Sequence, residues 1–213
     1  MMFASREDAG QRLGRYLIEQ GTQADLVLGL PRGGVIVAAQ VAQCLHLPLD
    51  VLIVRKIGHP WQREFAVGAL AENGVVVLDE GSIGQHPIVK RELDEIIEEE
   101  KQRLRTYQAS FHPDGVPDLS GKVVLLVDDG LATGSTTEAA VLSARKQNPN
   151  KIIVAAPVAS TSAIGRLRRV SDEVSALFVD PDFDAVGRYY EVFVQTTDKE
   201  VLELLHSQPA QEA

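Results

Sequence analysis

The run Val123-Val124-Leu125-Leu126-Val127-Asp128-Asp129-Gly130-Leu131-Ala132-Thr133-Gly134-Ser135-Thr136-Thr137 constrains the fold more than any other stretch of this chain. Its five leading apolar residues do not alternate with polar ones, which predicts a strand buried on both faces. Such strands belong to parallel sheets covered by helices, and the ligands of those sheets lie beyond the carboxyl ends of the strands. Asp128 and Asp129 emerge at that end. Paired carboxylates accept hydrogen bonds from vicinal hydroxyls and attract a divalent cation. Thr133 to Thr137 then supply hydroxyls and backbone N–H groups at the start of a helix expected over 136–146, where the positive end of the dipole favours an anion. A sugar phosphate fits both halves. A Walker A loop is excluded because no Gly-Lys-Ser/Thr follows the required spacer, and a nucleophile elbow because Gly-x-Ser-x-Gly is absent.

Two further segments end in anion-seeking groups. Residues 25–30 read as a second buried strand, followed by Pro31-Arg32-Gly33-Gly34 and a helix over 35–45. The glycines permit close backbone approach to an anion, and Arg32 adds a permanently charged fork suited to phosphate oxygens. Residues 49–54 read as a third strand, with Arg55 and Lys56 at its end either facing an anionic ligand or solvated. Trp61, the single Trp, either stacks on a substrate ring, seals a loop or packs against the protein's own body.

The hydrophobic strand, the acidic pair and Thr133-Gly134-Ser135-Thr136 together resemble the phosphoribosyl pyrophosphate (PRPP) binding motif of type I phosphoribosyltransferases. The likeness extends to Pro31-Arg32-Gly33-Gly34, to Arg55-Lys56-Ile57-Gly58-His59-Pro60, to Ala156-Pro157-Val158 and to the late Tyr189, Tyr190 and Phe193. It implies that Asp128 and Asp129 bind the ribose hydroxyls, and Mg²⁺ directly or through water. It implies that Ala132, Thr133, Gly134, Ser135 and Thr136 bind the 5-phosphate, and that Pro31, Arg32, Gly33, Gly34, Arg55 and Lys56 bind pyrophosphate. Arg32, Lys56, Asp128 and Asp129 are then the catalytic set. The implied reaction transfers the 5-phosphoribosyl group from PRPP to a nitrogenous base and releases pyrophosphate. The alternative is a regulatory protein that binds PRPP without catalysis. Ala132 stands where 6-oxopurine enzymes place an Asp, which points away from hypoxanthine and guanine, and Glu64 is the nearest candidate general base.

The same resemblance implies one phosphoribosyltransferase domain over residues 1–213: a central, mostly parallel sheet flanked by helices, with a small hood built from the amino-terminal region and about 180–197. Trp61, Tyr189 and Tyr190 are the candidates for contacting the base. A length of 213 residues with 45% apolar content suffices for one such α/β core. Net charge −9 argues against nucleic acid, and the basic cluster Arg166-Leu167-Arg168-Arg169 reads as a solvated helix face. No uninterrupted apolar run is long enough to span a membrane, so a soluble chain is expected. The lone Cys44 cannot form an internal disulfide and reads as a packing residue in a cytoplasmic protein. The five His residues show no metal-ligand spacing. A helix rich in Glu, Lys and Arg is expected over 87–107, opened by Pro87 and covering the sheet or a second copy in a homodimer. Short apolar segments over 65–70 and 74–78 suggest a hairpin or ladder, and the last dozen residues should fray.

Overall fold

Alternate residues of the central strands enter two different cores, which is why these strands are apolar throughout. In this computed structural model, which describes residues 2–85, 89–113 and 115–206 apart from the side chains of Glu64, Ser82 and Gln85, the chain begins with helix α1 (Arg6–Glu19). Then come β1 (Leu26–Gly29), α2 (Gly33–Leu45) and β2 (Leu49–Val51). An antiparallel excursion follows: β3 (Val54–His59), β4 (Gln62–Ala71) and β5 (Val76–Leu78), with α3 (Glu80–Gln85) and the long α4 (Lys90–Phe111). The chain returns through β6 (Val123–Val127), α5 (Ser135–Arg145), β7 (Lys151–Ser160), α6 (Thr161–Leu167) and β8 (Glu173–Asp180). It continues through a 3-10 turn at Val186–Tyr189 to α7 (Asp198–His206). The central sheet has the order β2-β1-β6-β7-β8 with every neighbouring pair parallel, and a separate sheet has the order β3-β4-β5. Val27, Leu125, Val127 and Ile153 pack beneath α1 and α2, whereas Leu26, Leu28, Leu126 and Ile152 pack with α5 and α6 on the opposite face.

The strand order reverses between β1 and β6. The chain moves outward from β1 to β2, returns, and places β6 on the other side of β1. A crevice opens at such a switch point, beyond the carboxyl ends of the strands. The loops that follow β1 and β6 are the two glycine-containing segments at Pro31–Gly34 and Gly130–Gly134.

The expected third strand over 49–54 is two strands in different sheets. The chain leaves the parallel sheet after Val51, and Ile53 already belongs to the antiparallel side, donating its N–H to the Glu72 carboxylate and accepting from the Glu72 N–H. Continuous apolarity cannot mark this corner, because residues on both sides of it are buried. Arg55 and Lys56 therefore lie inside an antiparallel strand and not at the end of a parallel one. The two apolar segments over 65–70 and 74–78 do pair, as β4 with β5. The charged helix runs Lys90–Phe111; Pro87 and the terminal residues 207–213 lie outside the described residues. Cys44 sits half-buried on α2.

A buried charge cluster joins the two sheets. His112, at the end of α4, has its Nε2 3.3 Å from Oε2 of Glu72 and its Nδ1 3.6 Å from Oδ1 of Asp50 in β2. Burial by itself would lower the His112 pKa, but the Glu72 and Asp50 carboxylates outweigh it and raise the value above 6.5. That contribution to stability is complete below pH 6.5 and is lost as the pH rises through the elevated value. With only 3% and 4% of the His112 and Glu72 side chains exposed, His112→Ala strands a buried carboxylate, and we expect a loss of about 3–5 kcal/mol near pH 6. Urea denaturation should show a lower midpoint at unchanged slope, with the deficit narrowing toward pH 9.

Candidate active site

A cleft of about 350 Å³ lies at the switch point, and its walls are the two loops together with Lys56 from β3. On one side the chain leaves β1 through Leu30 and Pro31, forms a cis Pro31–Arg32 peptide, and enters α2 at Gly33. Side chains are barred here by crowding: a Cβ on Gly33 would collide with the Asp129 carboxylate and the Arg6 guanidinium, and one on Gly34 would lie 2.9 Å from Oδ1 of Asp128. On the other side β6 ends at Val127 and presents Asp128 and Asp129. Gly134 follows in the left-handed region at φ 75°, a conformation that glycine adopts without steric cost, and caps α5. Around that cap the Thr133 and Ser135 hydroxyls lie 3.0 Å apart. The first turn of α5 carries N–H groups without intrahelical acceptors, directed as helix starts direct them toward an anion.

The acidic pair is held asymmetrically. Oδ1 of Asp128 accepts from the Asp129 N–H at 2.8 Å, and its Oδ2 accepts from the Thr137 hydroxyl at 3.4 Å. Asp129 is clamped from behind, where Oδ2 accepts from Nε of Arg6 at 2.7 Å and the backbone carbonyl accepts from the Tyr190 hydroxyl at 2.6 Å. Arg6 also donates from Nη1 to the Val194 carbonyl and stacks 3.9 Å from the centre of the Phe193 ring. Burial and then the Asp129 charge push Asp128 up to about 7, against the opposing influence of Lys56 and Thr137. Burial also raises Asp129, with Arg6 as the main opposing influence.

The structure brings together Pro31, Arg32, Gly33, Lys56, Asp128, Asp129, Ala132, Thr133, Gly134, Ser135 and Thr136 around one cleft, with Gly34 packed behind Asp128. It does not bring four other expected residues there. Arg55 faces α4, with Nε 2.5 Å from Oε2 of Glu100 and its guanidinium 5.1 Å from the centre of the Tyr107 ring, so of the two adjacent cations only Lys56 reaches this cleft. Trp61 sits at the tip of the β3–β4 hairpin, 77% exposed, with its ring edge toward His59. Tyr189 and Tyr190 are buried, and their hydroxyls donate to Asp180 and to the Asp129 carbonyl, so both serve as internal struts. The side chain of Glu64 lies outside the described residues.

Two residues were missed by sequence reasoning. Val186 of the 3-10 turn closes the far wall of the cleft and carried no signal. Arg6 carried a faint one, because it is the first residue of a helix, where a cation opposes the dipole and needs a compensating carboxylate.

Two outcomes follow from this geometry. Arg6→Ala removes the partner of a carboxylate in a pair whose side chains are 8% and 15% exposed, and should cost about 3–5 kcal/mol by chemical denaturation, with Arg6→Lys recovering part of it. Asp128→Asn should do the reverse. A carboxyl raised from 3.8 to about 7 contributes stability below pH 3.8 and loses it as the pH climbs through 7, so the amide should melt higher than the unliganded native protein at pH 8. The advantage should vanish near pH 4, by differential scanning calorimetry at both pH values.

Residues 4–184 match the family model described as the phosphoribosyl transferase domain. A Mycobacterium tuberculosis (strain H37Rv) protein named "Putative phosphoribosyl transferase" is 39% identical over 206 residues, which are 96% of this chain and 46% of that protein. The chain thus spans about half the length of the curated relatives it matches. A ribose-phosphate pyrophosphokinase of Pyrococcus furiosus is 30% identical over 155 residues, covering 63% of this chain and 55% of that one. Among solved structures, TT1426 from Thermus thermophilus is 40% identical with a TM-score of 0.78, covering 96% of this chain and 98% of that one. With a carboxylate pair and a threonine-glycine cradle at the switch point, and with the family model matching most of its length, this chain belongs to the phosphoribosyl transferase domain family.

Proposed function

We propose that the cleft binds PRPP with Mg²⁺ and transfers its 5-phosphoribosyl group to a nitrogenous base, releasing pyrophosphate. The observation that carries this reading is the placement of Asp128, the carboxylate of the pair that Arg6 does not bond, in one cleft with two glycine-containing loops. Thr133 to Thr136 and the start of α5 take the 5-phosphate. Pro31 to Gly34, with Arg32 and Lys56, take the pyrophosphate. Between them Asp128 and the outer face of Asp129 take the ribose hydroxyls. The name of the pyrophosphokinase relative joins the same two groups, ribose phosphate and pyrophosphate. Val186 and the amino-terminal segment form the hood of a single domain, and Leu131, Ala66 and Val186 offer an apolar wall to a flat acceptor.

The donor set suits a hard cation. Asp128 is raised to about 7 because its buried charge is undercompensated, a deficit that a divalent ion would relieve. No group of three or more metal-ligating side chains occurs among the described residues, which fits an ion that keeps waters and takes most remaining ligands from PRPP oxygens. When bound, Mg²⁺ supplies charge neutralisation on the pyrophosphate. The chain's own residues do the rest. Asp128 fixes the ribose, the α5 start anchors the 5-phosphate, and Arg32 and Lys56 face the leaving group as negative charge develops on it. Each such donor is worth about 10²–10³ in rate where the site excludes water. Arg32 can turn to a ligand, since its ion pair with Asp198 at 3.9 Å is loose and half-exposed.

PRPP with Mg²⁺ should raise the melting temperature of the wild type and leave that of Asp128→Asn unmoved. Absence of a shift in the wild type at millimolar PRPP would remove the reading altogether. Arg32→Ala should weaken PRPP binding by about 1.5–3 kcal/mol while sparing ribose 5-phosphate, measured by titration calorimetry. Equal losses for both ligands would reverse the orientation of PRPP in the cleft. Pyrophosphate release with a panel of purine and pyrimidine bases separates an enzyme from a PRPP-binding regulator. Tight PRPP binding with silence across the panel would favour the regulator.

A further inference from the structure

On the other side of Lys56 lies a second cleft, of about 410 Å³, between the β3–β4 hairpin and α4. Its side chains are Arg55, Lys56, Arg63, Arg103, Glu99 and Glu100, with Gly58 completing the wall. Four cations face two carboxylates, a local surplus of two positive charges in a chain of net charge −9. Surplus cations of this kind, gathered in a concave site, focus an attractive field on anions.

The two carboxylates play different parts. Glu100 is 6% exposed and accepts from Nε of Arg55 at 2.5 Å and from Nη1 of Arg103 at 2.7 Å, so it holds two guanidinium groups in place. A guanidinium has five N–H donors, and these bonds leave most of each fork unspent. Tyr107 supports the Arg55 fork from beneath at 5.1 Å. Glu99, by contrast, meets Arg63 at 3.0 Å with both side chains about half-exposed (49% and 48%), an arrangement worth little and readily displaced by a stronger acceptor. Register shifts in β3 at Ile57/Gly58 and Gly58/His59 turn this stretch of the hairpin, and a Cβ on Gly58 would collide with the Arg63 backbone.

We propose that this cleft is a second anion site, built for a small condensed phosphate such as pyrophosphate or tripolyphosphate. The class follows from the wall. Among the described residues it contains no hydrophobic side chain to receive a base, a sugar face or an acyl chain, while planar forks on Arg55, Arg63 and Arg103 match phosphate oxygens. Lys56 lines both clefts, so an anion here shares one ammonium with whatever occupies the first.

The test is titration of the full chain with inorganic tripolyphosphate, without added metal, by calorimetry. With the first cleft already weakened by Arg32→Ala, adding Arg63→Gln and Arg103→Gln should weaken the remaining binding about tenfold or more, as expected for lost hydrogen bonds to a charged group, while adding Arg15→Gln, an exposed cation of α1 that lines neither cleft, should change it less than about twofold. Hydrogen exchange on the wild type supplies a measurement independent of any variant. Tripolyphosphate should protect amides of Lys90–Phe111, the helix whose side chains line the second cleft and not the first. Absence of binding to Arg32→Ala, no further weakening on adding Arg63→Gln and Arg103→Gln, an equal loss on adding Arg15→Gln, or unprotected amides over Lys90–Phe111 would each overturn the proposal. Because the probe carries no ribose, failure of PRPP to bind the first cleft would leave these expectations intact.

Discussion

Two adjacent carboxylates at the mouth of a crevice repel one another and lose hydration together, and the site depends on the interaction that offsets this. Arg6 supplies it. One guanidinium bonds the Asp129 side chain and the Val194 carbonyl, lies on the Phe193 ring and fills the space beside Gly33. It thereby ties the start of α1, the loop after β1, the end of β6 and the segment before α7 to one point. Removing charge from water on this scale costs several kcal/mol per ion, repaid only when geometry and additional hydrogen bonds are good, and here the Tyr190 hydroxyl adds a further bond at the Asp129 carbonyl. With Asp129 satisfied from behind, Asp128 is left as the undercompensated carboxylate facing the cleft.

The parallel sheet explains why this arrangement can be rigid. Residues of β6 are buried on both faces, so the strand that carries the acidic pair cannot shift without opening two cores at once. Functional groups on the loops beyond it inherit that rigidity while remaining free to vary in type.

The antiparallel sheet has a different character. It is joined to the central sheet through the His112, Glu72 and Asp50 cluster and through Asn73, which bonds Ser143 of α5. Its hairpin places Lys56 on the ridge between two clefts and leaves Trp61 in solvent. An acidic chain thus gathers four cations around the cleft between this hairpin and α4, where a highly charged small ligand would meet them.

Much of the cleft was legible in the linear chain because its chemistry is local. An apolar run, a carboxylate pair and a threonine-glycine turn follow each other within fifteen residues, and strand, cap and helix dipole are all set by near neighbours, as they are for Pro31 to Gly34. Other features depend on partners far away in the chain. Arg6 meets Asp129 across 123 positions, Tyr190 reaches the same residue across 61, and Arg55 turns to Glu100 across 45. The corner at Leu52, which carries Arg55 and Lys56 out of the parallel sheet and lets only Lys56 reach the first cleft, is equally invisible to periodicity, since buried residues continue through it. The sequence by itself thus determined the parallel α/β core and which two glycine-containing loops wall the cleft. Tertiary structure alone decided which cation faces which cleft and which carboxylate is left free, because those choices rest on the packing of helices and strands distant in the chain.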